Sequence, residues 1–197
     1  MESTNKQAAI SRLAIFASGR GSNAEKIIDF FKNDPTVEIG LILSNRKEAK
    51  VLHLAQKHNI PELVTSKDEF YHSDKIAKNL VEFKIDLIVL AGFLWLIPKY
   101  LVDAFPDKIV NIHPALLPKY GGKGMYGMNV HKAVHKAGEI ETGITIHYVN
   151  DRYDDGAIIF QAACQVDKTD TPEQIAAKVL TLEHQYLPQI IRELVSN

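Results

Sequence analysis

The chain has 197 residues, 46% of them hydrophobic, which suits one sizeable domain with its own core. Lysine and arginine number 23 against 24 aspartates and glutamates, so no broad basic face for nucleic acid is implied. The single cysteine, Cys164, excludes an internal disulfide, and the sequence has neither a signal-peptide run nor a bilayer-spanning one, so a cytoplasmic location is expected.

Residues 1–7 are polar, and a short apolar run at 12–17 reads as a first strand. The glycine-rich turn Ser18-Gly19-Arg20-Gly21-Ser22-Asn23 follows, and residues 24–31 carry Ile27, Ile28 and Phe31 at helical spacing. Strand, glycine turn and helix together aim backbone N–H groups and a helix N-terminus at an anion. A strand over 38–45, a helix over 49–58 and a strand over 60–64 come next. A longer helix is predicted over 68–83, with Phe70, Ile76, Ala77, Leu80 and Phe83 on its apolar side. Residues 85–91 are nearly all apolar, the pattern of a strand covered on both faces at the centre of a parallel sheet. A short helix over 98–105 and a strand over 109–112 complete an alternation that predicts an α/β fold with right-handed crossovers.

Beyond Pro118 the pattern changes. Residues 119–128 hold four glycines and read as a loop, after which Asn129 is expected to cap a helix reaching 136. Residues 143–149 alternate like a strand, 150–156 form a turn, and 157–166 read as a further strand antiparallel to its neighbour. Cys164 falls in that strand, where core or neutral surface is favoured over a nucleophile. Thr171, Pro172 and Glu173 match a helix start, and a terminal helix is expected over 175–194 with a kink or break at Pro188. No repeat or linker interrupts the chain, so residues 1–197 are expected to form a single domain.

Three stretches carry candidate chemistry. Asn111 and His113 are two apart, so on an extended backbone their side chains leave one face, and Pro114 ends the strand behind them. An amide N–H₂ and a protonated imidazole can together stabilise the oxygen of a tetrahedral acyl intermediate, although turn formers and strand-end histidines are also common. Gly19-x-Gly21-x-x-Ala24 fits a phosphate-binding turn or a plain tight turn. The second strand ends in Ser44-Asn45 rather than an acid, which argues against a dinucleotide. The turn from Asp151 to Gly156 offers carboxylates that could keep His113 charged, or is ordinary turn chemistry. His131 and His135 share a helix face at i, i+4, but no third ligand is implied. A solvated face is the expectation, and no metal is predicted.

With these residues in view, the chain resembles the glycinamide ribonucleotide formyltransferases, the folate-dependent transformylases of purine synthesis. The likeness covers about residues 13–194. Its parts come in the family's order: Ser18-Gly-Arg-Gly-Ser-Asn23, Ser44-Asn45-Arg46, Leu90-Ala-Gly-Phe93, Asn111-Ile-His-Pro114 with Leu-Leu-Pro118, and Asp154-x-Gly156. The resemblance implies a Rossmann-like formyltransferase fold, with a mostly parallel central sheet, helices on both faces and an antiparallel strand near the C-terminus. It also implies formyl transfer from 10-formyltetrahydrofolate, a co-substrate, to the amine of glycinamide ribonucleotide.

By motif position the family's catalytic residues fall on Asn111, His113 and Asp154, with Asp154 keeping His113 protonated. Its phosphate turn falls on Gly21, Ser22 and Asn23, and a substrate-contacting acid on Glu183. The folate would meet Lys67, Asn111 and the segment Leu94, Trp95, Leu96 and Ile97. Small-molecule substrates are implied, with no metal, nucleic acid or membrane. Two departures stand out: Ala115 where many members have serine, and a longer, more glycine-rich loop at 121–129. The methionyl-tRNA formyltransferases add a C-terminal domain and the formyltetrahydrofolate hydrolases an N-terminal one, for which 197 residues are expected to have no room. A silent phosphometabolite-binding domain would keep the glycine turn but has no need of Asn111, His113 and Asp154 together.

Overall fold

The computed structural model describes residues 10–196, so the polar stretch 1–7 lies outside the described residues. In chain order the elements are β1 (Ser11–Phe16), α1 (Ser22–Phe31), β2 (Val37–Ser44), α2 (Lys50–Lys57), β3 (Glu62–Val64), α3 (Lys67–His72) and α4 (Lys75–Glu82). They continue with β4 (Leu87–Leu90), α5 (Lys99–Ala104), β5 (Ile109–His113), α6 (Met128–Ala137), β6 (Glu141–Tyr148), β7 (Ile158–Gln165) and α7 (Pro172–Ser196).

The strands form one seven-stranded sheet in the order β3-β2-β1-β4-β5-β6-β7. Pairings among β1 to β5 are parallel, while β6 runs antiparallel to β5 and β7 antiparallel to β6. The apolar strand β4 is the middle one, as its composition predicts. Alternate residues of each strand feed two separate cores. Leu13, Ile15 and Val89 face a core with residues of α1, α2, α6 and α7; Ala14, Phe16 and Ile88 face one with residues of α3, α4 and α5. Both faces of the sheet are therefore covered by helices, the arrangement a mostly parallel sheet needs.

Three local expectations are corrected. The helix expected over 68–83 is two helices, because Ser73 is extended (φ −140°, ψ 153°) and its hydroxyl accepts from the Lys75 N–H, starting α4 afresh. Ser66 begins α3 with a capping box to Glu69. Asn129 does not cap α6: Gly127 holds that position, and the Asn129 amide donates instead to the Gly124 carbonyl. Pro188 does not break the last helix, which runs on to Ser196 with Leu187, Pro188, Ile190 and Ile191 buried. Burial on that face outweighs the hydrogen bond that a proline removes.

Strand β1 is followed by crossovers to β2 on one side and leads to β4 on the other, so the chain reverses direction across the sheet between them. Open α/β sheets bind ligands in the crevice outside such a point, at the carboxyl ends of the strands.

Candidate active site

A cleft of about 700 Å³ opens at that place. Its lining includes Gly21, Ser22 and Asn23 after β1, Phe93 and Leu94 after β4, Asn111 and His113 at the end of β5, and Asp154 and Glu183. The turn after β1 is knitted to the loop after β4. Ser18 donates its backbone N–H to the Gly92 carbonyl, and its hydroxyl accepts from the Leu94 N–H. Gly21 precedes α1 with φ 81°, in the left-handed region where a side chain is strained, and an added Cβ would come within 2.8 Å of Val51. The first turn of α1 carries no side-chain cap, and Gly21, Ser22 and Asn23 at its start line the cleft. Asn23 donates to Glu183 of α7 at 2.6 Å, joining the two ends of the chain across one wall. Burial pushes the Glu183 carboxyl up despite that bond.

The sheet register builds the other wall. Asn111 pairs with His147 and His113 with Thr145 across the antiparallel β5–β6 ladder, so all four side chains lie on one face. Past Ile146 the β6–β7 register shifts, and residues 149–157 leave the sheet as the loop carrying Asp154. Gly156 lets that loop lie flat on β6: a Cβ there would stand 1.7 Å from the Tyr148 carbonyl oxygen.

These placements converge on Asp154. Its Oδ1 lies 3.4 Å from His113 Nδ1 and accepts from Asn111 Nδ2 at 3.5 Å, while its Oδ2 accepts from the Gly122 N–H at 2.8 Å. Burial works to raise the Asp154 carboxyl, but His113, with smaller contributions from His147 and the Gly122 amide, outweighs it, and the group is held well below the usual carboxylate range. His113 is only 3% exposed, and its Nε2 sits 2.8 Å from the Tyr120 carbonyl. Both neighbours of the ring are acceptors, so both ring nitrogens occupy donor positions, the arrangement of an imidazolium. Asp155 takes no part: it faces Asn150 and Arg152 on the exposed side of the turn. Behind His113, the Thr145 hydroxyl donates to the Ala115 carbonyl and accepts from Leu117 N–H, while Gln161 bonds both Thr145 and the Leu117 carbonyl. The loop after Pro114 is thereby fastened to β6 and β7.

Of the residues singled out in the sequence, the structure brings Asn111, His113, Asp154, Gly21, Ser22, Asn23, Glu183 and Leu94 to one cleft. It does not bring Lys67, Trp95, Leu96 or Ile97 into that lining. Trp95 packs among Phe70, Tyr71 and Phe93, Ile97 is in the core, and the Leu96 carbonyl accepts from the Tyr71 hydroxyl. The Leu94 N–H is likewise already bonded, to Ser18. Lys67 is exposed in the first turn of α3.

His131 corrects an expectation. It is buried at 6% exposure and lines the cleft, whereas His135 one turn on is exposed, so the face they share is solvated only at His135. Burial, with the charge on His113 beside it, holds the His131 imidazole below its usual range. Three participants escaped the sequence reading, His147, the Gly122 N–H and the Tyr120 carbonyl; the partnership of His147 with Asn111 becomes legible only once the β5–β6 register is known. Among the described residues no group of three or more His, Cys, Asp or Glu is placed to hold a metal, and no helix is long and apolar enough to cross a membrane.

The sequence pattern of the formyl transferase family matches residues 11–191. The chain belongs to this family. A chloroplastic phosphoribosylglycinamide formyltransferase of Arabidopsis thaliana is 43% identical over 187 residues, covering 91% of this chain and 64% of that protein. The chain thus spans somewhat under two-thirds of that relative's length. The phosphoribosylglycinamide formyltransferase of Bacillus subtilis is 34% identical, covering 94% of this chain and 95% of its own. Among solved structures, the phosphoribosylglycinamide formyltransferase of Anaplasma phagocytophilum superposes with a TM-score of 0.86 at 36% identity, covering 94% of this chain and 86% of that one. The formyltransferase fold, with its antiparallel strands β6 and β7 beyond a parallel core, is therefore shared across nearly the whole described chain.

Proposed function

We propose that this formyltransferase moves a formyl group from 10-formyltetrahydrofolate to the amine of glycinamide ribonucleotide, a step of purine synthesis. The observation that carries the reading is the meeting of Asn111, His113 and Asp154 within 3.5 Å of one carboxylate oxygen at the cleft wall. The amine nitrogen attacks the formyl carbon, and a tetrahedral oxyanion forms. The Asn111 amide and the His113 imidazolium stabilise that oxygen, with ionised Asp154 as counter-ion to the ring. Collapse breaks the bond to the folate nitrogen, which takes the proton of His113 Nε2 as that N–H leaves the Tyr120 carbonyl, while the proton lost by the amine passes through water to Asp154.

The two ends of the cleft fit the two substrates. Gly21, Ser22 and Asn23 with the N-terminus of α1 suit a phosphate, and Glu183 suits a donor group of the same molecule. The pterin is assigned to the segment of Leu94, Trp95, Leu96 and Ile97, with Lys67 beyond it. Leu94 and Phe93 on the cleft wall support that assignment, and the other four residues lie outside the lining.

His113→Ala tests the reading. Formyl transfer should fall by at least about a hundredfold, the usual worth of a positioned acid–base group. Calorimetric titration should show glycinamide ribonucleotide still bound with near-unchanged affinity. Turnover at the wild-type rate would remove His113 from the chemistry, and a wild-type protein that binds the ribonucleotide without turnover would be a silent binding domain.

A further inference from the structure

His147 belongs to none of the motifs that define the site, yet it is 2% exposed and directly opposite Asn111 in the sheet. Its Nδ1 lies 2.8 Å from the Tyr148 carbonyl oxygen. A carbonyl only accepts, so Nδ1 carries a proton. Its Nε2 lies 3.0 Å from Asn111 Nδ2 and 3.7 Å from Asp154 Oδ1, the second distance being too long for a hydrogen bond.

The Asn111 amide cannot be turned over at little cost. Its nitrogen faces the ionised Asp154 Oδ1 at 3.5 Å, and a flipped amide would set an oxygen against that carboxylate. With the amide nitrogen fixed as the donor, His147 Nε2 has to be the acceptor and bears no proton. One Asn111 N–H is then spent on His147, and the other is left for Asp154 Oδ1 across a long contact, or for a stronger acceptor arriving in the cleft.

We propose that His147 is a positioning residue: as the neutral Nδ1–H tautomer it holds one Asn111 N–H on its bare Nε2 and thereby aims the other at the tetrahedral oxygen. This rests on the formyl-transfer reading for the role of Asn111, but the tautomer stands on the hydrogen bonds alone. Neutral histidine favours the opposite tautomer in water, so the assignment is a specific one. The orientation originates in backbone: the Tyr148 carbonyl fixes the ring, the ring fixes the amide, and the amide serves the reaction.

Two measurements test it. Long-range proton–nitrogen correlation spectra of the uniformly labelled wild-type protein, with the signal of His147 assigned by its loss in His147→Gln, should show protonated Nδ1 and bare Nε2. A proton on Nε2 would overturn the proposal whether or not the protein transfers formyl groups. Kinetically, His147→Leu removes the acceptor, whereas the Gln carbonyl oxygen can restore it. The expected result is a kcat lowered by about tenfold to a hundredfold in the Leu variant, somewhat less than deleting an oxyanion donor costs, with KM for both substrates nearly unchanged. His147→Gln should recover most of the loss. A Leu variant with a lower melting temperature but unchanged kcat would make His147 merely structural, and equal damage in both variants would also contradict the proposal. Absence of formyl transfer in the wild type would instead overturn the functional reading and leave the tautomer to the spectra.

Discussion

Asp154 is where the opposing forces at this site are resolved. Burial alone would raise its carboxyl, and the imidazole of His113, with His147 and the Gly122 amide, reverses that outcome. A carboxylate held below its ordinary value of 3.8 contributes stability that is fully present above that value and is lost as pH falls toward the folded one. Below about pH 5, where an unfolded histidine is already charged, the stability difference between wild type and Asp154→Asn should therefore shrink as the pH falls. Chemical denaturation across that range measures it. A difference that grew on acidification would mean the group is raised, not lowered. At this scale the sequence was informative where chemistry sits in one local pattern: Asn111 and His113 are two apart on one strand, and the strand geometry does the rest. It was silent where two segments must meet. Nothing in the sequence alone joins Asp154 to His113, points Glu183 at Asn23, or sets His147 against Asn111.

Among the elements, β6 with the loop that follows it has the largest share in building the site. Its register against β5 places His147 and Thr145, and its departure from β7 past Ile146 releases the loop bearing Asp154. Gly156 is the tightest point of that loop, against the same Tyr148 carbonyl that orients His147. Gly156→Ala should cost about 1–3 kcal/mol of stability, as overpacking does. Because the displaced segment carries Asp154, it should also lower kcat at temperatures where the protein remains folded. A stable, fully active variant would show that the loop has another way to lie on β6. Element boundaries explain what the sequence left illegible. Helical spacing runs through Ser73 as though α3 and α4 were one, because the apolar stripe continues while a serine hydroxyl and an extended residue interrupt the backbone. At Pro188 the local signal was strong and lost to tertiary packing, since α7 buries its face against α1, α6 and β6.

Taken as a whole, the molecule sets a helix N-terminus and glycine turn at one side of a crevice and a charged cluster at the other, over the carboxyl ends of parallel strands. The fold class was open to reading because alternating apolar strands and amphipathic helices leave few ways to cover both faces of a sheet. The packing of Trp95 and Ile97 was not, since they look equally apolar whether they line a cleft or fill the core, and here they pack inward or among aromatic neighbours. The central claim is that both substrates meet at Asn111, His113 and Asp154. It is tested most directly by following the absorbance change as purified protein converts a 10-formyl folate to the deformylated folate, with and without glycinamide ribonucleotide. Turnover that requires the ribonucleotide and yields the formylated ribonucleotide is the predicted result; deformylation without it, or no turnover in either mixture, would contradict the account.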